Sequence, residues 1–501
     1  MFSTPQKEIL LKEKRINLAQ KIIELDLPPD IPSCHALIRT LFSALEQMQK
    51  QLDEMSSKLA STQAQLNQNS RNSSLPPSSD GFKRQAGIPK TPKGQGGQLG
   101  HTGKTLGKID NPDEIVRLTT PLCRCGQELD PSVGKIIRRC QVFDLPTPKL
   151  SVTEYQIIKQ VCSCGRIHQG QLPADVQADV QYGSGVRAFS VLLSNSCQMS
   201  YQKISTLFED LFGYDLNEST ALSNNALAYD NLEPVEAQIK EALLESEVVH
   251  YDETGLRVGV GKPKWLHAAC NALFTYLFVS DKRGSKAHTV ALSILPFFKG
   301  WAIHDCYGFY FAYKNCRHGL CGSHLLRELQ GQIEQGKIWA LELKTFLLDL
   351  YTQSEKGLKT VPQIALHKDK WRELCQNAIK VEELLLPVLE PPPDNKHKRG
   401  RKSRGKALNL LDRLLKHTDP VLAFAEFDTV PFTNNQAERD IRPAKTKQKI
   451  AGCFRTLNGA NSYARIQGFI STSRKHNLNV FNELRAVCKT NLFYSAPWGA
   501  K

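Results

Sequence analysis

No stretch of this chain is both long and apolar enough to cross a bilayer. The longest uncharged apolar runs, such as Ala287 to Phe298, are interrupted by polar residues and proline (His288, Thr289, Ser293, Pro296) and fall short of the roughly 20 residues a spanning helix needs. The first residues, Met1-Phe2-Ser3-Thr4-Pro5-Gln6-Lys7-Glu8, lack the apolar core of a signal peptide. A cytoplasmic protein without a membrane partner is the expectation. Acid is missing from one long segment: between Gly81 and Ile109 there are six Lys or Arg residues and no Asp or Glu. Fourteen cysteines in such a chain argue against a disulfide framework, and most stand singly (Cys34, Cys197, Cys270, Cys375, Cys488).

What is present is size, positive charge and a few dense motifs. At 501 residues, 41% of them hydrophobic, the chain folds as several domains rather than around one core. Its net charge of +15 is concentrated in runs. Lys396 to Lys406 reads Lys-His-Lys-Arg-Gly-Arg-Lys-Ser-Arg-Gly-Lys, and Arg439 to Lys475 holds nine basic residues against Asp440 alone. Any one run could be a solvated linker. Three of them beside a carboxylate constellation point to nucleic acid, held through phosphate contacts and counterion release.

Residues 1 to 34 read as a short helical lead-in broken by Pro28, Pro29 and Pro32. A heptad pattern follows: Leu45, Leu52, Leu59 and Leu66 recur every seven residues, and Leu41, Met48, Met55 and Thr62 fill the second seam position. That alternation predicts a coiled coil, and hence a homodimer or higher oligomer. The alternative is one amphipathic helix packed on its own domain. The Ser-, Asn- and Pro-rich stretch from Asn67 to Asp80, and the glycine-rich basic stretch through Gly103, read as a flexible linker. Two cysteine pairs come next, Cys123-Arg124-Cys125-Gly126 and Cys162-Ser163-Cys164-Gly165, separated by a β-rich interval. They are similar to a zinc ribbon with four thiolates, Cys123, Cys125, Cys162 and Cys164, although each pair has one intervening residue where the usual knuckle has two. Cys140 or His168 could substitute as ligands.

Two short apolar strands are each expected to end in an aspartate, Glu247 to Asp252 and Trp301 to Asp305, and a later helix start carries Glu438. A hairpin (Trp265 to Cys270, Phe274 to Ser280) and a helix around Lys286 to Leu295 are expected between the aspartates. Each aspartate alone could be a turn residue. Glu253 competes with Asp252 as the functional carboxylate. Glu438, at N3 if Asn435 is the N-cap, could be the glutamate of a capping box. Gathered together, three carboxylates repel: at about 5 Å and an effective dielectric of about 20, each pair costs on the order of 3 kcal/mol. A divalent cation removes that cost, and two cations clamp the attacking and leaving oxygens of phosphoryl transfer.

Strand, hairpin, helix and strand with aspartates at two strand ends, then a helix bearing glutamate, resembles a ribonuclease-H-like fold. The whole chain resembles a DDE transposase of the insertion-sequence sixty-six family. The resemblance is carried by the leucine-rich helix, Pro76-Pro77-Ser78-Ser79-Asp80, the linker from Gly96 to His101 and the cysteine pairs. Further blocks are His250-Tyr251-Asp252-Glu253-Thr254-Gly255, His304-Asp305, Cys321-Gly322-Ser323-His324-Leu325-Leu326-Arg327-Glu328-Leu329, and Asn434-Asn435-Gln436-Ala437-Glu438-Arg439. It implies a catalytic triad of Asp252, Asp305 and Glu438 binding two Mg²⁺ or Mn²⁺ ions, with Zn²⁺ a further candidate at the cysteines. Double-stranded DNA, transposon ends and target, would be the partner, contacted by Arg439, Arg442, Lys445, Lys447 and Lys449. Accessory proteins of the same element and a prokaryotic, nucleoid-associated setting are implied as well. The expected fold class is multidomain α+β. Its parts are a helical coiled-coil region (1–70), a basic linker (71–112), a zinc-ribbon-like domain (113–176), a helical region (177–245), a catalytic domain (246–475) with a helical insertion at about 324–415, and a tail (476–501). Two other readings stay open: a ribonuclease-H-like nuclease that cuts without joining, and a DNA-binding protein that has lost catalysis.

Overall fold

The computed structural model describes residues 30–69, 71–73, 106–118, 122–130, 132, 135–261, 263–289, 292–356, 361–385 and 405–489. The expected lead-in before residue 30, most of the basic linker, nearly all of the Lys396 to Lys406 run and the end of the tail lie outside the described residues. The described residues form two compact units.

The first unit comprises helix α1 (Ile31–Leu66), the turn after it and Arg327–Ile338. Helix α1 begins within the expected proline break, after Pro28 and Pro29 and one residue before Pro32. Asp30 caps it, its carboxylate accepting from the Ser33 backbone N–H (2.8 Å) and hydroxyl (3.0 Å), and Pro32 falls in the first turn, where no N–H is needed. The heptad residues Leu41, Leu45, Met48, Leu52, Met55, Leu59 and Leu66 are all exposed. Past the helix, the Asn72 amide donates to Glu334 Oε2 (2.5 Å).

The second unit is a mixed α/β assembly. Strands β1 (Lys159–Val161) and β2 (Ile167–Gln169) pair as an antiparallel hairpin. Helices α2 (Ser184–Asn195), α3 (Tyr201–Phe212), α4 (Glu218–Asn231) and α5 (Glu233–Leu244) follow. Ser200 and Asn217 cap α3 and α4 with their side chains. Then come β3 (Val248–Leu256), β4 (Lys264–Cys270), β5 (Thr275–Ser280), β6 (Trp301–His304) and β7 (Arg317–Leu320), forming one five-stranded sheet in the order β5-β4-β3-β6-β7. The first three strands are antiparallel, and β6 and β7 run parallel to β3. Helix α6 (Gly322–Ile333), of which the residues from Arg327 on belong to the first unit, and helices α7 (Ile338–Glu355), α8 (Val361–Leu385), α9 (Lys406–Lys416) and α10 (Thr418–Glu426) separate β7 from α11 (Asn435–Ala451), α12 (Leu457–Lys475) and α13 (Val480–Val487).

Alternation along the strands gives the sheet two buried faces. Val249, Tyr251, Ala269, Tyr276, Phe278 and Ala302 pack with Leu232, Val235 and Ile239 on one face. Leu256, Leu266, Ala268, Leu277 and Val279 pack with Ile441 and Ala444 of α11 on the other. Each such large side chain contributes about 1.5–3 kcal/mol by leaving water. Helix α12 packs along the β5 edge and α10 along β7, so neither edge is left to recruit a foreign strand. Gly300 permits the approach of β6 to β3: a Cβ there would strike the Glu247 carbonyl, which instead accepts the Trp301 N–H at 2.7 Å.

Two local expectations are corrected, and one strand had not been expected. Strand β3 does not end at Asp252 but continues to Leu256, because Asp252 to Leu256 keep pairing with Ala268 to Lys264 of β4 after β6 has stopped. Around Lys286 to Leu295 the described residues form a 3₁₀ turn (Ser285–Ala287) and loops rather than a helix. Side chains satisfy this backbone: the Tyr276 hydroxyl donates to the Leu292 carbonyl (2.6 Å), and the Ser293 hydroxyl bonds both His288 and the Leu295 N–H. Strand β7 was not anticipated, since Arg317-His318-Gly319-Leu320 lacks strand-like alternation.

Candidate active site

Strand register decides which carboxylates meet. In the parallel pair, Val248 stands opposite Trp301 and His250 opposite Ile303. Asp252 and Asp305 each lie two residues past that last pair, Asp252 still in β3 and Asp305 just past the end of β6, and the Asp305 charge reaches Asp252. Both aspartates fall on the α11 side of the sheet, whereas Glu253 falls on the opposite side. There Glu253 is buried, paired with Arg283 Nε (2.9 Å) and accepting the Tyr310 hydroxyl (2.6 Å). Asp252 Oδ1 accepts the Glu253 N–H (2.9 Å), and Asp305 Oδ1 accepts the Tyr307 N–H (3.0 Å) in an Asx turn.

The electrostatics follow from this crowding. Burial, and then the charges of Glu253, Asp305 and Glu438, push the Asp252 carboxyl well above the usual range, with the Glu253 amide pulling it back. Burial also raises Asp305, while the Tyr307 N–H, Arg283 and Arg413 pull it down. Glu253 is pushed up to about 6 by burial and by Asp305, against its bonds to Tyr310 and Arg283.

Glu438 reaches this face through α11, whose start is pinned by Asn434. That residue is 1% exposed. Its Nδ2 donates to the Tyr251 carbonyl (2.8 Å), which can only accept, so its Oδ1 is left to accept from His250 Nδ1–H (2.9 Å). Its backbone N–H points at Cys321 Sγ (3.1 Å). One asparagine thus ties the helix start to the strand residues just before Asp252. Gly322 makes room for the loop leading there: its N–H donates to the Phe432 carbonyl (2.8 Å), and a Cβ would collide with the Phe432 ring. The capping-box alternative for Glu438 is removed. Asn434, not Asn435, is the N-cap, and its side chain is committed to β3 rather than to the helix. Glu438 Oε1 lies 3.7 Å from His324 Nδ1, in the first turn of α6.

Among the described residues no three His, Cys, Asp or Glu groups stand close enough to hold one ion. The aspartate pair is adjacent, and Glu438 acts on it electrostatically without closing on the same point. The donors nonetheless suit a hard divalent cation. They are carboxylate oxygens, and the mutual repulsion that lifts Asp252 is what a cation between them offsets, so Mg²⁺ or Mn²⁺ fits the residues present.

Comparison with known proteins adds family membership. The family model described as Transposase IS66 family matches residues 179–462, more than half of the chain. The chain belongs to the IS66 transposase family. A second model, a family of unknown function (DUF6444), matches residues 27–106. No curated protein matches.

The IS66 match contains the five basic residues expected to meet DNA, and they divide in two. Arg439, Arg442 and Lys449 are exposed and spaced to form one stripe along α11 beside Glu438. Lys445 and Lys447 turn inward. Lys445 Nζ donates to the Gly255 carbonyl (2.7 Å). Lys447 Nζ donates to the Ser194 carbonyl and lies over the Tyr463 ring, and burial lowers it to about 8. Lys475 is likewise spent: it pairs with Asp440 (2.6 Å) and bonds Thr275 Oγ1 and the Asn271 carbonyl. No described helix is long and apolar enough to cross a membrane.

The cysteine pairs precede the IS66 match and adopt one shared turn. Cys123 N–H donates to the Gln127 carbonyl and Cys162 N–H to the Arg166 carbonyl, both at 2.8 Å, with Gly126 and Gly165 at positive φ. Neighbouring N–H groups lower Cys125 and Cys162 below the usual thiol range. The two turns are not brought together into one four-thiolate site among the described residues. Cys321 is a buried packing residue whose sulfur is taken by Asn434.

Asn434, His250 and Arg283 had not been singled out from the sequence. Asn434 had a signal, its place in the Asn-Asn-x-Ala-Glu-Arg block. His250 had the same kind of signal, its place in the His250 to Gly255 block, and Arg283 had none beyond lying a few residues past a strand end.

Proposed function

We propose that this IS66-family protein is a DDE transposase that binds the terminal inverted repeats of its element and catalyses metal-dependent DNA strand cleavage and strand transfer. The observation that carries this reading is that Asp252 and Asp305 each lie two residues past the last pair of the parallel strands β3 and β6, close enough for the Asp305 charge to raise Asp252, with Glu438 acting on Asp252 as well. The sheet order, three antiparallel strands followed by two parallel ones, supports a ribonuclease-H-like catalytic domain.

Asp252 and Asp305 would hold the metal ions, with Glu438 the third carboxylate, on the first turn of α11. When bound, the ions supply charge stabilisation for the attacking and leaving oxygens of in-line displacement. Asn434 and His250 orient the start of α11 relative to β3. Arg439, Arg442 and Lys449 take DNA phosphates along the exposed stripe. Helix α1, with an exposed heptad seam, joins a second copy as a coiled coil and so holds two transposon ends in one complex. Were Zn²⁺ bound, Cys123, Cys125, Cys162 and Cys164 would be the thiolates to hold it, as a structural ion, and that module would recognise the end sequence.

A cleavage and joining assay with the element's own ends and Mg²⁺ or Mn²⁺, with the element's accessory proteins added, tests this. Metal-dependent cutting and joining that is lost in Asp305→Asn is the expected result. Cutting without joining would make the protein a nuclease, and binding without cutting would make it a DNA-binding protein.

A further inference from the structure

Arg283 sits where neither the triad nor the α11 stripe accounts for it. Its Nε donates to Glu253 Oε1 (2.9 Å), and its guanidinium lies 4.2 Å from the Tyr307 ring centroid and 5.0 Å from that of Trp265. Glu253 cannot shift to claim more of it, because its other oxygen accepts the Tyr310 hydroxyl at 2.6 Å. The side chain is 40% exposed, and its Nη groups make no hydrogen bond among the described residues. Tyr307, which packs on it, is the residue whose N–H closes the turn on Asp305 Oδ1 (3.0 Å). A planar fork with unspent donors is therefore locked against the Asp305 turn. The same loop carries two exposed lysines, Lys282 and Lys286.

Neutralising a buried glutamate explains one N–H of the five. A lysine would serve that purpose and would need no aromatic rings beside it. What an arginine adds is a rigid pair of Nη donors matched to two oxygens of a phosphate, which the neighbouring rings help hold in one orientation. We propose that Arg283 is a DNA-binding residue that grips the non-bridging oxygens of a phosphodiester at the Asp305 turn. This assignment rests on the transposase reading and extends the DNA surface from α11 to the opposite side of the carboxylates. Glu253, Trp265 and Tyr307 are its positioning residues, and they fix the fork without touching DNA through it.

The test compares wild type, Arg283→Lys, Arg283→Gln, Glu253→Gln and the double variant Glu253→Gln/Arg283→Gln, with thermal midpoints as the fold control. End-DNA affinity is read across a salt series, and cleavage is read as separate kcat and KM. Arg283→Gln is expected to weaken binding about 10-fold and to reduce the salt slope by about 1, the signature of one lost phosphate contact. Arg283→Lys keeps the charge and the slope but loses the fork, so its cleavage falls several-fold. The double variant has no unpaired buried carboxylate, so a fold defect cannot explain its loss; it must still bind about 10-fold more weakly than Glu253→Gln alone. If the double variant matches Glu253→Gln in slope and affinity, Arg283 serves only Glu253 and the proposal is overturned. A wild type that neither binds nor cuts end DNA instead overturns the transposase reading itself, and the role of Arg283 with it.

Discussion

Replacing Asn434 with alanine removes both side-chain bonds between α11 and β3 and replaces them with nothing. Asn434 and Tyr251 are each 1% exposed and His250 is 9% exposed, so water cannot readily satisfy the Tyr251 carbonyl or the His250 N–H left behind. Two lost hydrogen bonds with two stranded partners cost about 2–4 kcal/mol. The consequence for chemistry is larger in proportion, because the start of α11 fixes Glu438 relative to Asp252, and a misplacement of about 1 Å costs roughly 100-fold in rate. Asn434→Asp separates geometry from charge. One oxygen still serves His250, but the other faces the Tyr251 carbonyl and adds a negative charge beside Asp252. The introduced acid therefore has a raised folded-state pKa, so its penalty is full above that pKa and fades as the pH falls and it gains a proton to donate. Urea unfolding of the full chain, followed with single-turnover cleavage, reads both effects. An Asn434→Ala protein within about 0.5 kcal/mol of wild type and cutting at the wild-type rate would refute the reasoning.

Other expectations follow from the same placements. Lys475→Met strands the Asp440 carboxylate, only 9% exposed, and should destabilise by about 3–5 kcal/mol, whereas a double change to apolar residues recovers much of it; urea unfolding checks both. Lys447 titrates at about 8 in the folded chain against a free value of 10.5, so the folded state carries a penalty below pH 8. Stability should then rise by up to about 3 kcal/mol between pH 8 and pH 10.5 through this group, and Lys447→Met should flatten that rise in pH-dependent unfolding. Alanine at Arg439, Arg442 or Lys449 should each lower the salt slope of DNA binding by about 1, while alanine at Lys445 should leave it unchanged.

Much of the site was legible because strands and motifs speak locally. Asp252 and Asp305 follow apolar runs, and the strands formed by those runs, β3 and β6, are neighbours in the sheet. What stayed hidden depended on partners distant in sequence. Lys445 and Lys447 look no different from Arg442 and Lys449 until Gly255 and Ser194 arrive to claim them. The N-cap of α11 could not be read as Asn434, because the reason lies in the Tyr251 carbonyl, 183 residues away. The helix expected before Leu295 failed because Tyr276 and Ser293 satisfy that backbone, a competition invisible to local propensity.

In the proposed reaction Asp252, Asp305 and Glu438 act as one metal-dependent unit. Single-turnover cleavage of end DNA in Mn²⁺ by Asp252→Asn, Asp305→Asn, Glu438→Gln and their pairwise combinations tests it most directly. Groups that act as a unit fail together, so each single variant should fall to the same background and the doubles should fall no further. Retained cleavage in Asp252→Asn alongside loss in Glu253→Gln would contradict the account, because it would put the working carboxylate on the other face of the sheet.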